Sequence, residues 1–275
     1  MKKRNSVLLS TPYIIWMIAF TLIPLGVVVY YALTDPATGA FTLNNLKDLG
    51  MYLPVLWQSI LYSLVSAFIC LLLGYPVAYF IAQQGNTMQK ILYMLVMLPM
   101  CMSFLLRTLA WVGLLQDTGI INDILEFIGI GRVQMIRTPG AVILGMVYNY
   151  LPYMILPLYS TIVKIDHRLV EAAEDLGCNG VQVFSKVILP LSVPGILSGI
   201  TMVFVPAVST FYISQKLGGT DTVLIGDVIE RLFKQGNNAN LGAALSLVLM
   251  ILVFVCTGIM NRFGGENGEE GGVIV

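Results

Sequence analysis

The chain has 275 residues, 57% hydrophobic and only 11% charged, and its 15 lysines and arginines are balanced by 15 aspartates and glutamates. That charge content is far below the roughly one quarter typical of soluble domains and marks an integral membrane protein, while scattered, balanced charges exclude a basic nucleic-acid surface. Cys70, Cys101, Cys178 and Cys256 form no CxxC pair and have no histidine at ligand spacing, which argues against a disulfide framework or a metal site.

Six apolar segments follow in order, at 11–34, 54–83, 91–114, 140–163, 195–217 and 241–261. A helix needs about 20 apolar residues to cross a hydrocarbon core about 30 Å thick, and each segment meets that length without strand-like alternation. The expected fold is therefore an all-α integral membrane bundle of six transmembrane helices, one domain over 1–263. The first segment follows Lys2, Lys3 and Arg4 and runs on without a small-x-small cleavage site, so it reads as an uncleaved anchor. Basic residues beside a first span stay cytoplasmic, which predicts both termini inside. Loops 35–53, 115–139 and 218–240 then face outside, and 84–90 and 164–194 face the cytoplasm. The Gly- and Glu-rich stretch 264–275 reads as a flexible cytoplasmic tail.

Helix breakers punctuate the spans: Pro24, Pro76, Pro99, Pro152, Pro157 and Pro206. Each removes a backbone donor, a loss that a bundle tolerates when neighbours or water satisfy the freed carbonyl. Kinked spans suit a path that opens and closes, although prolines are also common in membrane helices generally.

No Asp or Glu lies in any of the six segments, and their only cations are Arg107 and Lys216. A proton- or sodium-driven carrier would need charged or carbonyl ligands at membrane depth. A phosphate-cradling GxxxxGK[ST] loop is missing, as are GxSxG and HExxH, and His167 is the single histidine. The chain is thus read as non-catalytic and without a cofactor of its own, so any uphill movement of solute draws on a partner.

The loop DHRLVEAAEDLG, 166–177, predicts a short cytoplasmic helix with Asp166 as N-cap and Gly177 at the left-handed C′ position. Leu169, Ala172, Ala173 and Leu176 fall at i, i+3, i+4 and i+7 and form a small apolar stripe flanked by Glu171, Glu174 and Asp175. After the Gly-Cys-Asn-Gly turn a second helix starts, with Asn179 as cap, and is expected to stop before Pro190. A membrane-surface helix would carry Lys and Arg with bulky anchors, whereas this one is acidic with alanine at its centre, the build of a helix that seats in a protein groove.

Glu171-Ala172-Ala173, three residues, Gly177, nine residues, then Val187-Ile188-Leu189-Pro190 resembles the cytoplasmic signature of ABC importer permeases. Leu-Gly-Tyr-Pro at 73–76, Leu-Pro-Tyr-Met at 151–154, PAVSTFYISQKLGGTDTVLIGDVI at 206–229 and Leu-Gly-Ala-Ala-Leu-Ser at 241–246 resemble the spermidine/putrescine branch, in the first of its two permease subunits. Where that family often carries Trp-Pro, this chain has Ala239-Asn240-Leu241. The resemblance implies a type I importer permease bundle whose loop 166–177 is a coupling helix on a cytoplasmic ABC ATPase dimer, with ATP and Mg bound in that partner. It further implies a second, homologous permease subunit and an extracytoplasmic polyamine-binding protein.

A flexible polycation is expected to meet aromatic faces and carboxylates. The spans offer the first kind: Trp111 in the third segment, Tyr148, Asn149, Tyr150 and Tyr153 in the fourth, and Ser209, Phe211 and Tyr212 in the fifth are candidates for the substrate path. Packing or interfacial belts would use the same residue types. Arg107 lines the path or snorkels to the surface. In the last outer loop, Ile225, Val228, Ile229 and Leu232 form an apolar stripe opposite Asp227, Glu230, Arg231 and Lys234. That amphipathic helix either docks the binding protein, through Asp221, Asp227 and Glu230, or caps the bundle.

Overall fold

The computed structural model describes residues 12–35, 39–234 and 238–264; the leading Lys-Arg cluster and the 265–275 tail lie outside them. Apart from one antiparallel bridge between Thr34 and Phe41, the described residues are helices and their connections. The helices are α1 (Pro12–Ala32), α2 (Leu53–Ala82), α3 (Asn86–Met97), α4 (Phe104–Leu115), α5 (Ile120–Phe127) and α6 (Pro139–Ile162). They continue with α7 (His167–Asp175), α8 (Gly180–Leu191), α9 (Val193–Val208), α10 (Tyr212–Leu217), α11 (Ile225–Lys234) and α12 (Ala239–Gly264). By length and apolarity, five described stretches can cross a bilayer, or six when α8 and α9, bent by 63° at Ser192, count as one.

Two of the expected segments are not single helices. In 91–114, α3 ends at Met97, a 3-10 turn covers Leu98–Cys101, and Met102 and Ser103 are extended before α4 begins. Pro99 lacks a donor for a continuing α ladder, and the apolar helical stretch runs instead over Phe104–Phe127. In 195–217, α9 stops at Val208, two residues after Pro206, and the chain turns through Ser209–Phe211 into α10.

Proline acts differently in α1 and α8. The π turns Ile18–Leu22 and Phe184–Ile188 each close on an i−5 bond, Ile23 N to Ile18 O and Leu189 N to Phe184 O, one residue before Pro24 and Pro190. Widening the helix there shifts the ladder by one residue just where the proline has no N–H to give. The second hairpin helix therefore runs through Pro190 to Leu191, beyond the stop expected from the sequence.

The chain divides into two compact units, Met1–Pro54 with Val228–Leu252, and Val55–Asp227 with Val253–Val275. In the first, Ala32, Ala243 and Ala244 form a small core with Val28, Leu49 and Leu247. The carbonyls that end α1 have no helical partner: Asn45 Nδ2 donates to Ala32 O and Thr34 O, and Asn240 Nδ2 also donates to Thr34 O, at 2.6 Å.

The second unit is organised by close approach of small residues. Ser59, Ser63, Ser66, Cys70, Gly74 and Ala78 make a buried stripe on α2. Ser66 Oγ reaches Met146 Sδ and Cys70 Sγ reaches Val147 O on α6. Along α6, Gly195 and Gly199 of α9 also let the backbones meet: a Cβ at Gly195 would lie 2.6 Å from Thr161 Oγ1 and 3.1 Å from Pro157 O. Lipid tails are as apolar as leucine, so membrane helices associate through this kind of small-residue packing. Gly195→Val is expected to lower the thermal midpoint of the detergent-solubilised chain by an amount equivalent to about 1–3 kcal/mol of overpacking. Gly258→Val, where nothing lies within 4 Å, should melt like the parent in the same experiment.

Candidate functional site

Two sites emerge within the second unit, a cavity between spans and the α7–α8 hairpin. The cavity, of about 390 Å³, forms where α4, the middle of α6 and the α9–α10 turn converge. It gathers seven of the nine residues expected on the path: Arg107, Asn149, Tyr150 and Tyr153, with Ser209, Phe211 and Tyr212. Phe104, Leu105 and Thr210 complete the lining; Phe104 is brought there by the chain break at Ser103, and Thr210 by the turn after α9. Trp111 and Tyr148 stand apart and meet each other edge to face, with centroids 5.4 Å apart.

The breaks in the helices build this cavity. Because α9 stops at Val208, Ser209, Thr210 and Phe211 turn across its end, and Phe211 remains exposed. Tyr150 donates to Pro206 O at 3.3 Å, tying α6 to that turn. Tyr150 and Tyr153 lie 6.3 Å apart between ring centroids, and Phe104 and Tyr212 6.2 Å apart. Lys216, the second cation of the segments, sits 5.7 Å from the centre of the Tyr212 ring. Arg107 does not snorkel: it is 6% exposed, and its Nε and Nη1 have no hydrogen-bond partner among the described residues. Asn149 is 1% exposed; its Nδ2 donates to Gly145 O, while its Oδ1 is buried without a donor among the described residues. The cavity is thus lined by aromatic faces, two hydroxyl-bearing residues of the turn and one fixed cation.

The hairpin keeps the caps read from its sequence. Asp166 accepts from Arg168 N, Gly177 has φ +84°, and Asn179 and Gln182 form a reciprocal capping box. The expected apolar stripe divides, however. Ala173 turns inward onto Val183 and Ile188, joined by Val170, whereas Leu169, Ala172 and Leu176 stay exposed, Leu176 by 87%. Val170 belongs to the face one residue around the helix from that stripe, and only the position of α8 selects it. Glu171, Glu174 and Asp175 are exposed around the uncovered face. The last two sit in the final turn, where the helix dipole disfavours negative charge, so helix stability does not account for their placement.

In α11, Ile225 and Val228 of the apolar stripe are buried. Asp227 is 4% exposed and accepts from Leu224 N, closing the start of that helix. Glu230 pairs with Lys234, one turn on. Asp221 is exposed, and its backbone carbonyl accepts from Gln58 Nε2.

A family model described as the inner membrane component of binding-protein-dependent transport systems matches residues 71–264. The spermidine/putrescine transport system permease protein PotB of Haemophilus influenzae is 40% identical over 247 residues, 86% of this chain and 86% of the relative. Its namesake in Escherichia coli is 36% identical over the same length, 86% of this chain and 90% of the relative. The crystal structure of a bacterial ABC transporter that imports the acidic polysaccharide alginate contains a chain of the same fold. It superposes with a TM-score of 0.76 at 20% identity over 97% of this chain and 98% of that one. The chain therefore belongs to the family of inner-membrane components of binding-protein-dependent transport systems.

Proposed function

We propose that this chain is one membrane-spanning half of an ATP-driven importer for polyamines, completed by a homologous sister permease, an ABC ATPase dimer and an extracytoplasmic polyamine-binding protein. ATP and Mg act in the ATPase, and this chain supplies shape and motion. Both termini face the cytoplasm in this reading, with α7 and α8 on the same side. The names of the curated relatives support the solute class. The observation that carries the mechanical role is the exposed face of Leu169, Ala172 and Leu176, ringed by Glu171, Glu174 and Asp175. An apolar strip with an acidic border, standing on an exposed hairpin, fits a groove with an apolar floor and basic rim. Alternating access follows when closure of the ATPases moves that hairpin and, through the continuous α8–α9 backbone, the turn that walls the cavity. On the outer side, Asp221 is the exposed acid of the three expected to meet the binding protein, and Glu230 is partly covered.

One feature taken alone favours a second reading: Arg107 in the cavity suits a solute with an anionic group, such as an amino acid or a small anion. Uptake by the complete importer in proteoliposomes separates the two. Radiolabelled spermidine or putrescine should be carried and compete with each other, and transport of an amino acid or anion with no polyamine uptake would reverse the assignment.

Two further outcomes follow. Burying an apolar side chain such as Leu176 contributes about 1.5–3 kcal/mol, so Leu176→Asp should cut co-purification of the ATPase at least tenfold while the chain still inserts and melts as before. Unchanged recovery of the ATPase would remove the hairpin from the interface. In the cavity, Tyr153→Ala and Phe211→Ala should each raise the KM for polyamine uptake about fivefold, the loss of about 1 kcal/mol of cation–π attraction; an unaltered KM in both would take the rings off the path.

A further inference from the structure

A guanidinium keeps its proton at any pH a protein meets. Arg107 therefore cannot escape burial by becoming neutral, as a lysine or histidine would. A buried ion left without a counter-charge is strongly unfavourable, yet Arg107 is buried with Nε and Nη1 both unpartnered. Among the described residues no Asp or Glu lines its cavity, and none lies in any of the six apolar segments of the sequence. Asn149 Oδ1, of the same lining, is likewise buried and has no donor among the described residues. The missing counter-charge must then come from outside the chain and act on the guanidinium through the cavity that Arg107 lines. The lining carries exposed apolar groups, Leu105 at 49% and Phe211 at 40%, which suits cover by lipid or protein rather than by water, and of those two only a protein can bring a carboxylate to Arg107.

We infer that Arg107 is half of an ion pair between the two permease subunits, its partner a carboxylate on the membrane-embedded face of the sister permease. This inference rests on the reading of the chain as one of two permease halves. The same carboxylate has a second use. A polyamine ammonium entering among Tyr150, Tyr153 and Phe211 is repelled by Arg107 alone but attracted by a carboxylate beside it. With the cavity empty, Arg107 neutralises the carboxylate and holds the two halves together; with solute present, the carboxylate is shared between two cations. The device disfavours small monovalent cations, which bring neither the aromatic contacts nor a second ammonium to offset the loss of the ion pair.

The test uses the complete importer, with this chain, the sister permease, the ATPase dimer and the binding protein co-expressed. Recovery of the sister permease on tagged chain and solute uptake are measured for Arg107→Lys, Arg107→Gln and Arg107→Glu. Uptake should fall in the order Lys, Gln, Glu, with Arg107→Glu down at least tenfold and losing sister permease on purification. Each Asp and Glu in the spans of the sister permease is then replaced by Arg in the Arg107→Glu background. One such exchange should restore both recovery and uptake to within about threefold of the parent. Equal activity of the Arg107→Gln and Arg107→Glu variants with the parent overturns the inference. So does failure of every exchange to restore Arg107→Glu while Arg107→Lys still assembles. Subunit recovery is read without any solute, so a parent importer that assembles but carries no polyamine counts against the proposed function and leaves the ion-pair test standing.

Discussion

The hairpin is fastened to the spans by one aromatic wedge, and both sites depend on it. Phe184, on the second hairpin helix, meets Tyr75 and Tyr79 of α2 edge to face, with ring centroids 5.5 and 5.7 Å away. Beside it, Ser192 Oγ donates to Leu189 O and so accepts from the Tyr75 hydroxyl, at 2.8 Å. Such a buried junction leaves the hairpin little freedom to swing alone. A displacement imposed on Leu169 and Leu176 must then pass into α2 and, across the 63° bend at Ser192, into α9. Because α9 lies against α6 through Gly195 and Gly199, and its last turn ends at the cavity, the exposed hairpin face and the cavity belong to one mechanical element.

Within that element, helices break where the cavity needs wall rather than cylinder. The interruption at Ser209–Phe211 lines it, and the one at Leu98–Ser103 ends at Phe104, which does too. Backbone at membrane depth is tolerated outside a helix only where protein or a polar cavity satisfies it, so the breaks and the cavity explain one another. At the π turns before Pro24 and Pro190, by contrast, the chain absorbs a proline by widening the helix and continuing.

Much of this was readable from residues alone. Low charge and six apolar runs lead to an all-helical membrane fold, and the spaced signature from Glu171 to Pro190 leads to the hairpin, its caps and its left-handed glycine. Local chemistry decides such features, because a cap or a positive φ depends on a few neighbours. The cavity was half legible: seven of its residues were identifiable as aromatic or polar groups at membrane depth, but Trp111 and Tyr148 have the same character and pack on each other instead. Which face of a helix turns inward is a tertiary matter, and so Val170, not Leu169, joins the hairpin core. Asn240 acquires its meaning only beside Thr34 O, 206 residues away in sequence. Asp227 likewise reads as a surface acid until its burial and its bond to Leu224 N show a cap.

The central claim is that the uncovered face of α7 is cytoplasmic and gripped by a nucleotide-hydrolysing partner. The most direct measurement is the reactivity of Leu176→Cys, in a chain whose own cysteines are replaced by alanine, toward a membrane-impermeant thiol reagent. The account predicts labelling in inverted vesicles but not in intact spheroplasts, and protection of the inverted vesicles when the ATPase is present. Labelling from the outside of spheroplasts, or identical labelling with and without the ATPase, would contradict it.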